Sequence, residues 1–161
     1  MQIGIIKERR LDEMRVAATP DTIKKFIAMG LQVNIERGAG ITASITDQEY
    51  EEAGANLLEN ASKVLENADI VLKVGKPIGP KDEDASKLDE VKLLKSGSIL
   101  VSLMEPYKDR DLIDLIAKQN VTCFALELIP RITRAQTMDV LSSQSNLAGY
   151  KAVIEASTAY G

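Results

Sequence analysis

The sequence contains no histidine. That excludes histidine-based triads, histidine general acid–base catalysis and histidine metal ligands, and no metal site is expected. It contains a single cysteine, Cys123, so no disulfide can form within the chain. Cys123 sits in the apolar run V-T-C-F-A-L and reads as a buried strand residue, and such sparing use of cysteine suits a reducing compartment. No apolar stretch approaches the ~20 residues that a membrane-spanning helix needs. There is no signal-peptide pattern, because Lys7–Arg10 follows the first apolar run instead of preceding one. The net charge of −4, with no Lys/Arg run interleaved with aromatics, excludes a broad nucleic-acid surface.

What is present fits one domain: 161 residues, 45% apolar and 27% charged, long enough to bury a core. Met1–Ile6 reads as a first strand, followed by a charged loop, Lys7–Met14. Thr19-Pro20-Asp21 starts a helix, with threonine as N-cap, proline in the first turn and aspartate at the positive end of the dipole. Gly30 ends it. Leu31, Val33 and Ile35 alternate as a second strand. Gly38-Ala39-Gly40-Ile41-Thr42-Ala43 has the spacing of a dinucleotide fingerprint, but that motif must open a helix directly. The next helix start is marked later, by the capping box Thr46-x-x-Glu49, so the glycines read as a tight turn. Short helices follow at Asp47–Ala53 and Asn60–Asn67. Asp69–Val74 is a buried strand, Lys81–Leu94 a polar loop and helix, Ser98–Met104 a strand, Asp109–Lys118 an amphipathic helix and Val121–Leu126 a strand. The order β-α-β-α-α-β-α-β-α-β-α predicts an α/β fold: a mostly parallel, Rossmann-like (flavodoxin-like) sheet, with helices on both faces and no glycine dinucleotide fingerprint.

The stretch from Ala125 to Tyr150 concentrates the chemistry. Pro130 stops the preceding strand and forces Ile129 out of the helical region. Arg131, Arg134, Gln136 and Asp139 then follow on a loop past a strand's carboxyl end, where open α/β sheets bind ligands. The apolar flanks Phe124–Ile129 and Met138–Leu141 would hold that loop. Ser142, Ser143, Ser145, Asn146, Ala148 and Gly149 suit close approach of a flat ring or another backbone. A helix is expected from Thr137 or Met138 toward Ser157. From the residues alone, a binding loop and a solvated turn with surface ion pairs both stand.

The segment P-R-I-T-R-A-Q-T-M-D-V-L-S-S-Q-S-N-L-A-G-Y-K-A-V-I-E-A resembles the corresponding segment of the proton-translocating nicotinamide nucleotide transhydrogenases, in particular their NAD(H)-binding domain I. The opening I-G-I-I-K-E-R-R-L-D-E-M-R-V-A-A-T-P is similar to the wider family of alanine dehydrogenase and transhydrogenase N-terminal domains. The resemblance covers essentially the whole chain. It implies direct hydride transfer, of the Si/Re-specific class, between NAD(H) on domain I and NADP(H) on a partner domain, coupled to proton translocation. By position it implies that Arg131 contacts the nicotinamide and pairs with Asp139, that Gln136 reaches the partner's NADP(H), and that Ser142 bonds the carboxamide. Arg134 reads as a surface residue.

The resemblance also implies NADP-binding and transmembrane partner components, a homodimer in the full domain I, and a cytoplasmic position on the inner membrane through those partners. In the family the chain continues into a domain with a true glycine fingerprint, which holds most of the NAD(H). Residues 1–161 are therefore expected to be a fragment, inactive alone. The alanine dehydrogenase branch is the alternative. It needs a lysine and a histidine where this sequence has Gly75 and Glu105, although its carboxylate-gripping arginine is present as Arg15. Arg15 otherwise reads as pairing with Glu8 or Asp12. A nonenzymatic partner-binding module using the same loop is the remaining alternative.

Overall fold

A computed structural model describes residues 1–82 and 88–160. The portion of the expected polar loop at 83–87 lies outside the described residues. The chain divides into two units, Met1–Phe124 and Ala125–Gly161.

The first unit begins with β1 (Gln2–Ile5), α1 (Pro20–Ala28) and β2 (Gln32–Glu36). It continues through α2 (Asp47–Glu52), β3 (Asn56–Leu58), α3 (Ala61–Glu66), β4 (Ile70–Leu72) and α4 (Glu90–Leu93) to β5 (Ile99–Ser102), α5 (Arg110–Lys118) and β6 (Thr122–Ala125). The sheet is parallel throughout, in the order β3-β2-β1-β4-β5-β6. That is the doubly wound order, with its switch point between β1 and β4. Without β3, the other five strands stand in the flavodoxin-like order. β3 was not expected from the sequence. It is three residues long and shows no alternation, and it forms by pairing with β2 in the register Asn34↔Asn56. The amide of Asn56 donates to Asn34 Oδ1, and that of Asn34 to Gln2 Oε1, so the half-hidden amides satisfy one another across three strands.

Local rules set the helix starts. Thr19 caps α1, with Pro20 in its first turn, and Thr46 and Glu49 form the reciprocal capping box on α2. Helices cover both faces of the sheet. Ile3 and Ile5 of β1 join Val33, Ile35, Ile23 of α1 and Tyr50 of α2 in one core. Gly4 points the other way, where a Cβ would lie 2.8 Å from Ala68 and 3.1 Å from Val64 of α3.

The glycines after β2 have structural roles. Gly38 has φ +72°, and its N–H donates to Asp47 Oδ1 at 2.8 Å. A Cβ on Gly40 would sit 2.7 Å from the Tyr50 ring and 2.8 Å from the carbonyl of Ile45. A single turn of 3-10 helix, Ile41–Ala43, follows, and α2 starts only at Asp47. An amide already bound to a carboxylate offers nothing to a pyrophosphate, which agrees with the tight-turn reading.

The charged loop after β1 turns inward. Lys73, just past β4, places Nζ 3.2 Å from Glu8 Oε2 and 3.2 Å from Glu90 Oε2, and all three side chains are buried. Glu8 also accepts the Val74 N–H at 2.7 Å, and Glu90 the Ile78 N–H at 3.0 Å. Arg9 bridges Glu36 and Glu90. Arg10 forks onto Asp82 and the carbonyls of Lys76 and Pro77.

Removing one partner of such a set leaves buried charge without compensation. Lys73→Met is therefore expected to cost about 3–5 kcal/mol, read as a lower urea midpoint with an unchanged m-value. A midpoint within experimental error of wild type would contradict the burial.

Candidate functional site

Pro130 decides the local path of the second unit. Its ring bars the preceding residue from the helical region, and Ile129 is extended at φ −60°, ψ 125°. β6 nevertheless ends at Ala125, because a single 3-10 turn, Leu126–Leu128, comes between. A second 3-10 stretch, Thr133–Met138, follows the proline, with Ala135 its buried residue. Only then does α6 (Val140–Ala159) begin, later than expected. Asp139, at φ −76°, ψ 90°, leaves the 3-10 stretch and is the N-cap of α6.

Asp139 is doubly engaged by one residue. Its Oδ1 accepts the Ser142 N–H at 2.9 Å, and its Oδ2 accepts the Ser142 hydroxyl at 2.5 Å. Its own carbonyl accepts the Ser143 hydroxyl at 3.1 Å. The Ser142 hydroxyl bond, then the Ser142 N–H, and the nearby charge of Arg131 hold the Asp139 carboxyl below the usual aspartate range.

A surface concavity of about 260 Å³ is lined by Arg131, Ile132, Thr133, Gln136, Asp139 and Ser142. Arg131, Gln136, Asp139 and Ser142, the four residues singled out in the sequence, thus line one surface. The expected ion pair between Arg131 and Asp139 does not form; the two oxygens of Asp139 accept from Ser142 at the start of α6. Among the described residues, the side chains of Arg131, Arg134 and Gln136 make no hydrogen bond or ion pair. All three are exposed. A guanidinium and an amide therefore stand at the concavity with their donors uncommitted. Ile132 and Thr133 were not picked out in the sequence, although they lie between two arginines that were.

The apolar flanks do not hold the loop by burial. Phe124, Leu128 and Met138 are about half exposed, and α6 buries none of its residues. Turns and the Asp139 cap order the loop instead. Cys123, expected to be buried, is half-buried in β6, and that burial raises its thiol pKa.

In the first unit, Arg15 forks onto Glu13, at 2.8 Å and 2.7 Å, where Glu8 or Asp12 was expected. That bond lowers the Glu13 pKa and raises that of Arg15. Among the described residues, Gly75 has Arg10 and Glu8 near the position of a missing Cβ, both at 3.8 Å. Glu105 lies at φ +48° and pairs with Lys108 at 2.6 Å. Lys73 and Glu8 lie just past the ends of β4 and β1, the strands that flank the switch point of the sheet. A smaller concavity of about 140 Å³ touches Asp82, Asp109 and Asp111. These pair with Arg10, Lys76 and Lys81. No helix among the described residues is long and apolar enough to cross a membrane.

Comparison with known proteins places this geometry in context. The family described as alanine dehydrogenase/PNT, N-terminal domain, matches residues 4–148. An NAD(P) transhydrogenase alpha-subunit polypeptide of Rhodospirillum rubrum is 45% identical over 96% of this chain and 39% of its own length. The alanine dehydrogenase of Methanococcus maripaludis is 33% identical over 92% of this chain and 37% of its own. The crystal structure of the transhydrogenase from Sinorhizobium meliloti superposes with a TM-score of 0.89 at 42% identity, covering 98% of this chain and 44% of that one. The chain thus spans about two-fifths of the length of these relatives.

The Asp139 cap has a pH signature. A carboxyl whose folded pKa is depressed contributes stability that is present above its unfolded pKa and is lost as pH falls through the folded one. Amide-exchange protection at Ser142 and Ser143 should therefore persist at pH 3.8, the ordinary aspartate value, and vanish only below it. NMR titration of the Asp139 carboxyl should follow the same curve. Loss of protection above that value would contradict the cap.

Proposed function

The chain belongs to the alanine dehydrogenase/PNT N-terminal domain family, and within it we propose that it forms the N-terminal portion of the NAD(H)-binding component of a proton-translocating NAD(P) transhydrogenase. The observation that carries this reading is the concavity at Arg131–Ser142, with its uncommitted donors and no acid–base pair. Transfer of a hydride between two nicotinamide rings needs no protein acid or base, only two rings held in register. Positioning groups suffice, and those are what the concavity offers. The greater identity to a transhydrogenase than to an alanine dehydrogenase supports the same branch.

The residues fit a nicotinamide. A guanidinium freed from Asp139 can donate to a carbonyl, a serine can bond a carboxamide, and an exposed glutamine amide can extend toward a second nucleotide. Arg131 and Ser142 hold the nicotinamide end of NAD(H), Asp139 orients Ser142, and Gln136 reaches toward NADP(H) on a partner domain. Bound NAD(H) supplies the hydride chemistry, of the Si/Re-specific class. Most of its binding comes from a further domain with a glycine fingerprint, so residues 1–161 alone carry no transhydrogenase activity. The assembly pairs two copies of domain I, includes NADP-binding and transmembrane components, and couples transfer to proton movement. Those components hold the chain at the cytoplasmic side of the inner membrane. Oxo-acid reduction is not proposed, because neither Gly75 nor a Glu105 paired with Lys108 supplies the acid–base pair it needs.

Substitutions in the assembled enzyme separate the roles. Gln136→Asn withdraws the amide by one methylene. It should slow single-turnover transfer by on the order of a hundredfold, the cost of about 1 Å of misplacement, with NADH affinity nearly unchanged. Arg131→Ala should weaken NADH binding and slow transfer together. Stopped-flow rates set against equilibrium NADH affinities read both. A Gln136→Asn enzyme that transfers at the wild-type rate would contradict the assignment.

A further inference from the structure

We propose that the carboxyl end of the first unit's sheet carries a docking surface, displayed by Leu11 and Tyr107, for an apolar patch on the protein component that bears NADP(H). The proposal rests on the transhydrogenase reading above and adds a contact that involves no nucleotide.

Exposure points to the two residues. Among the described residues of the first unit, Leu11 and Tyr107 are the most exposed large apolar side chains, at 92% and 88%. Leu11 lies in the loop after β1 and Tyr107 in the loop after β5, both at the carboxyl end of the sheet. Backbone strain marks the same two loops. Among the described residues, four other than glycine have a left-handed φ: Asp12, Ser44, Glu105 and Asn120. Ser44 ends the 3-10 turn Ile41–Ala43 and Asn120 follows the C-cap of α5, both ordinary places for that conformation. Asp12 and Glu105 end no helix. Asp12, at φ +63°, follows Leu11, and Glu105, at φ +48°, stands before Pro106, where extended backbone is favoured. Strain of this kind persists only where the surroundings over-determine it, and it gathers at functional sites.

The surroundings do so here. The Glu13 N–H donates to the Arg10 carbonyl at 3.2 Å and closes the first turn. Arg10 is clamped on Asp82 and Glu13 on Arg15, which fixes both ends of that turn. In the second turn, the Lys108 N–H donates to the Glu105 carbonyl at 2.9 Å, and its ammonium to the Glu105 carboxylate at 2.6 Å. Lys76 joins the two turns: its carbonyl accepts from Arg10, and its ammonium pairs with Asp109. Two uncovered apolar side chains are thus held on one frame. A surface ordered before contact pays less entropy on binding, and tyrosine is among the residues that dominate interface energetics.

Charge identifies the kind of partner. Within the two turns Arg10, Glu13, Glu105 and Lys108 are matched, and Asp12 alone has no partner among the described residues. No cation in the two turns is free to take a phosphate or an acidic peptide, and Asp12 repels both. A two-fold contact between copies, centred on this patch, would bring two Asp12 carboxylates together. What remains unsatisfied is apolar area, offered by far fewer than the about 20–30 residues a side of a stable interface, so the contact is transient. Open α/β sheets bind ligands outside the carboxyl ends of their strands. A component that exchanges hydride with such a ligand approaches over that end, which makes the NADP(H)-bearing component the occupant.

The test uses the assembled NAD(H)-binding component, titrated with the NADP-binding component while single-turnover transfer is followed. Both positions are exposed, so the fold tolerates their substitution. Tyr107→Ser should raise the concentration for half-maximal transfer by roughly five- to thirtyfold, the range for truncating an interface anchor. Leu11→Ser in addition should raise it further. Transfer at saturation and NADH affinity should keep their wild-type values. Met29→Ser removes a 73% exposed apolar side chain ahead of β2, at the opposite end of the sheet, and should change nothing. An unaltered half-maximal concentration in the double variant overturns the proposal. So does an equal rise with Met29→Ser, or a double variant that instead separates copies of the NAD(H)-binding component in sedimentation equilibrium. The transhydrogenase reading fails separately, through a wild-type component that transfers no hydride at any concentration of the NADP-binding component.

Discussion

The Lys73 ammonium, buried between two carboxylates, is the constraint on which the first unit depends. Taking such a charge out of water costs several kcal/mol unless paired groups offset it. Here each carboxylate partner is also bound to a backbone amide, Glu8 to Val74 and Glu90 to Ile78. The ion cluster thus ties together the segments that follow β1 and β4 and the start of α4, and Arg9 extends it to Glu36 at the end of β2. Lys73 and Glu8 lie just past the ends of β4 and β1, the strands that flank the switch point. In the turn after β2, the Gly38 N–H is already given to Asp47.

Charge is handled differently around the Lys73 cluster and around the concavity of the second unit. In the first unit, Arg9, Arg10, Arg15, Lys73, Lys76 and Lys108 are all matched with carboxylates. In the second unit, Asp139 is engaged locally by the helix it caps, which leaves Arg131 and Gln136 with no partner among the described residues. Matched charges build structure, whereas unmatched donors on an exposed concavity are available to a ligand. The uncommitted donors of Arg131 and Gln136 are the physical basis for the proposed site.

Features set by a few neighbouring residues were legible in the sequence. Thr19-Pro20, the Thr46–Glu49 capping box and the effect of Pro130 on Ile129 all act within one turn, so spacing alone reveals them. Features that depend on distant partners were hidden. β3 exists because β2 pairs with it, and the burial of Lys73 needs Glu8, far away in the sequence. At the candidate site, the four residues singled out in the sequence line one concavity, but two of them do not pair as expected. Arg131 and Asp139 are close enough in sequence to pair, yet a helix N-terminus has unsatisfied N–H groups that an aspartate cap bonds directly. The local cap prevailed over the ion pair. Arg15 likewise pairs with a close neighbour in sequence, Glu13.

The central claim is that the nicotinamide end of NAD(H) sits at Arg131–Ser142. Its most direct measurement is an NMR titration of the assembled NAD(H)-binding component, with the Arg131 guanidinium and the Ser142 amide as reporters. NADH is compared with ADP-ribose, which lacks the nicotinamide ring. The account predicts that NADH shifts both reporters and that ADP-ribose, bound to the same protein, leaves them in place. Equal shifts with both ligands, or no shift at saturating NADH, would contradict it.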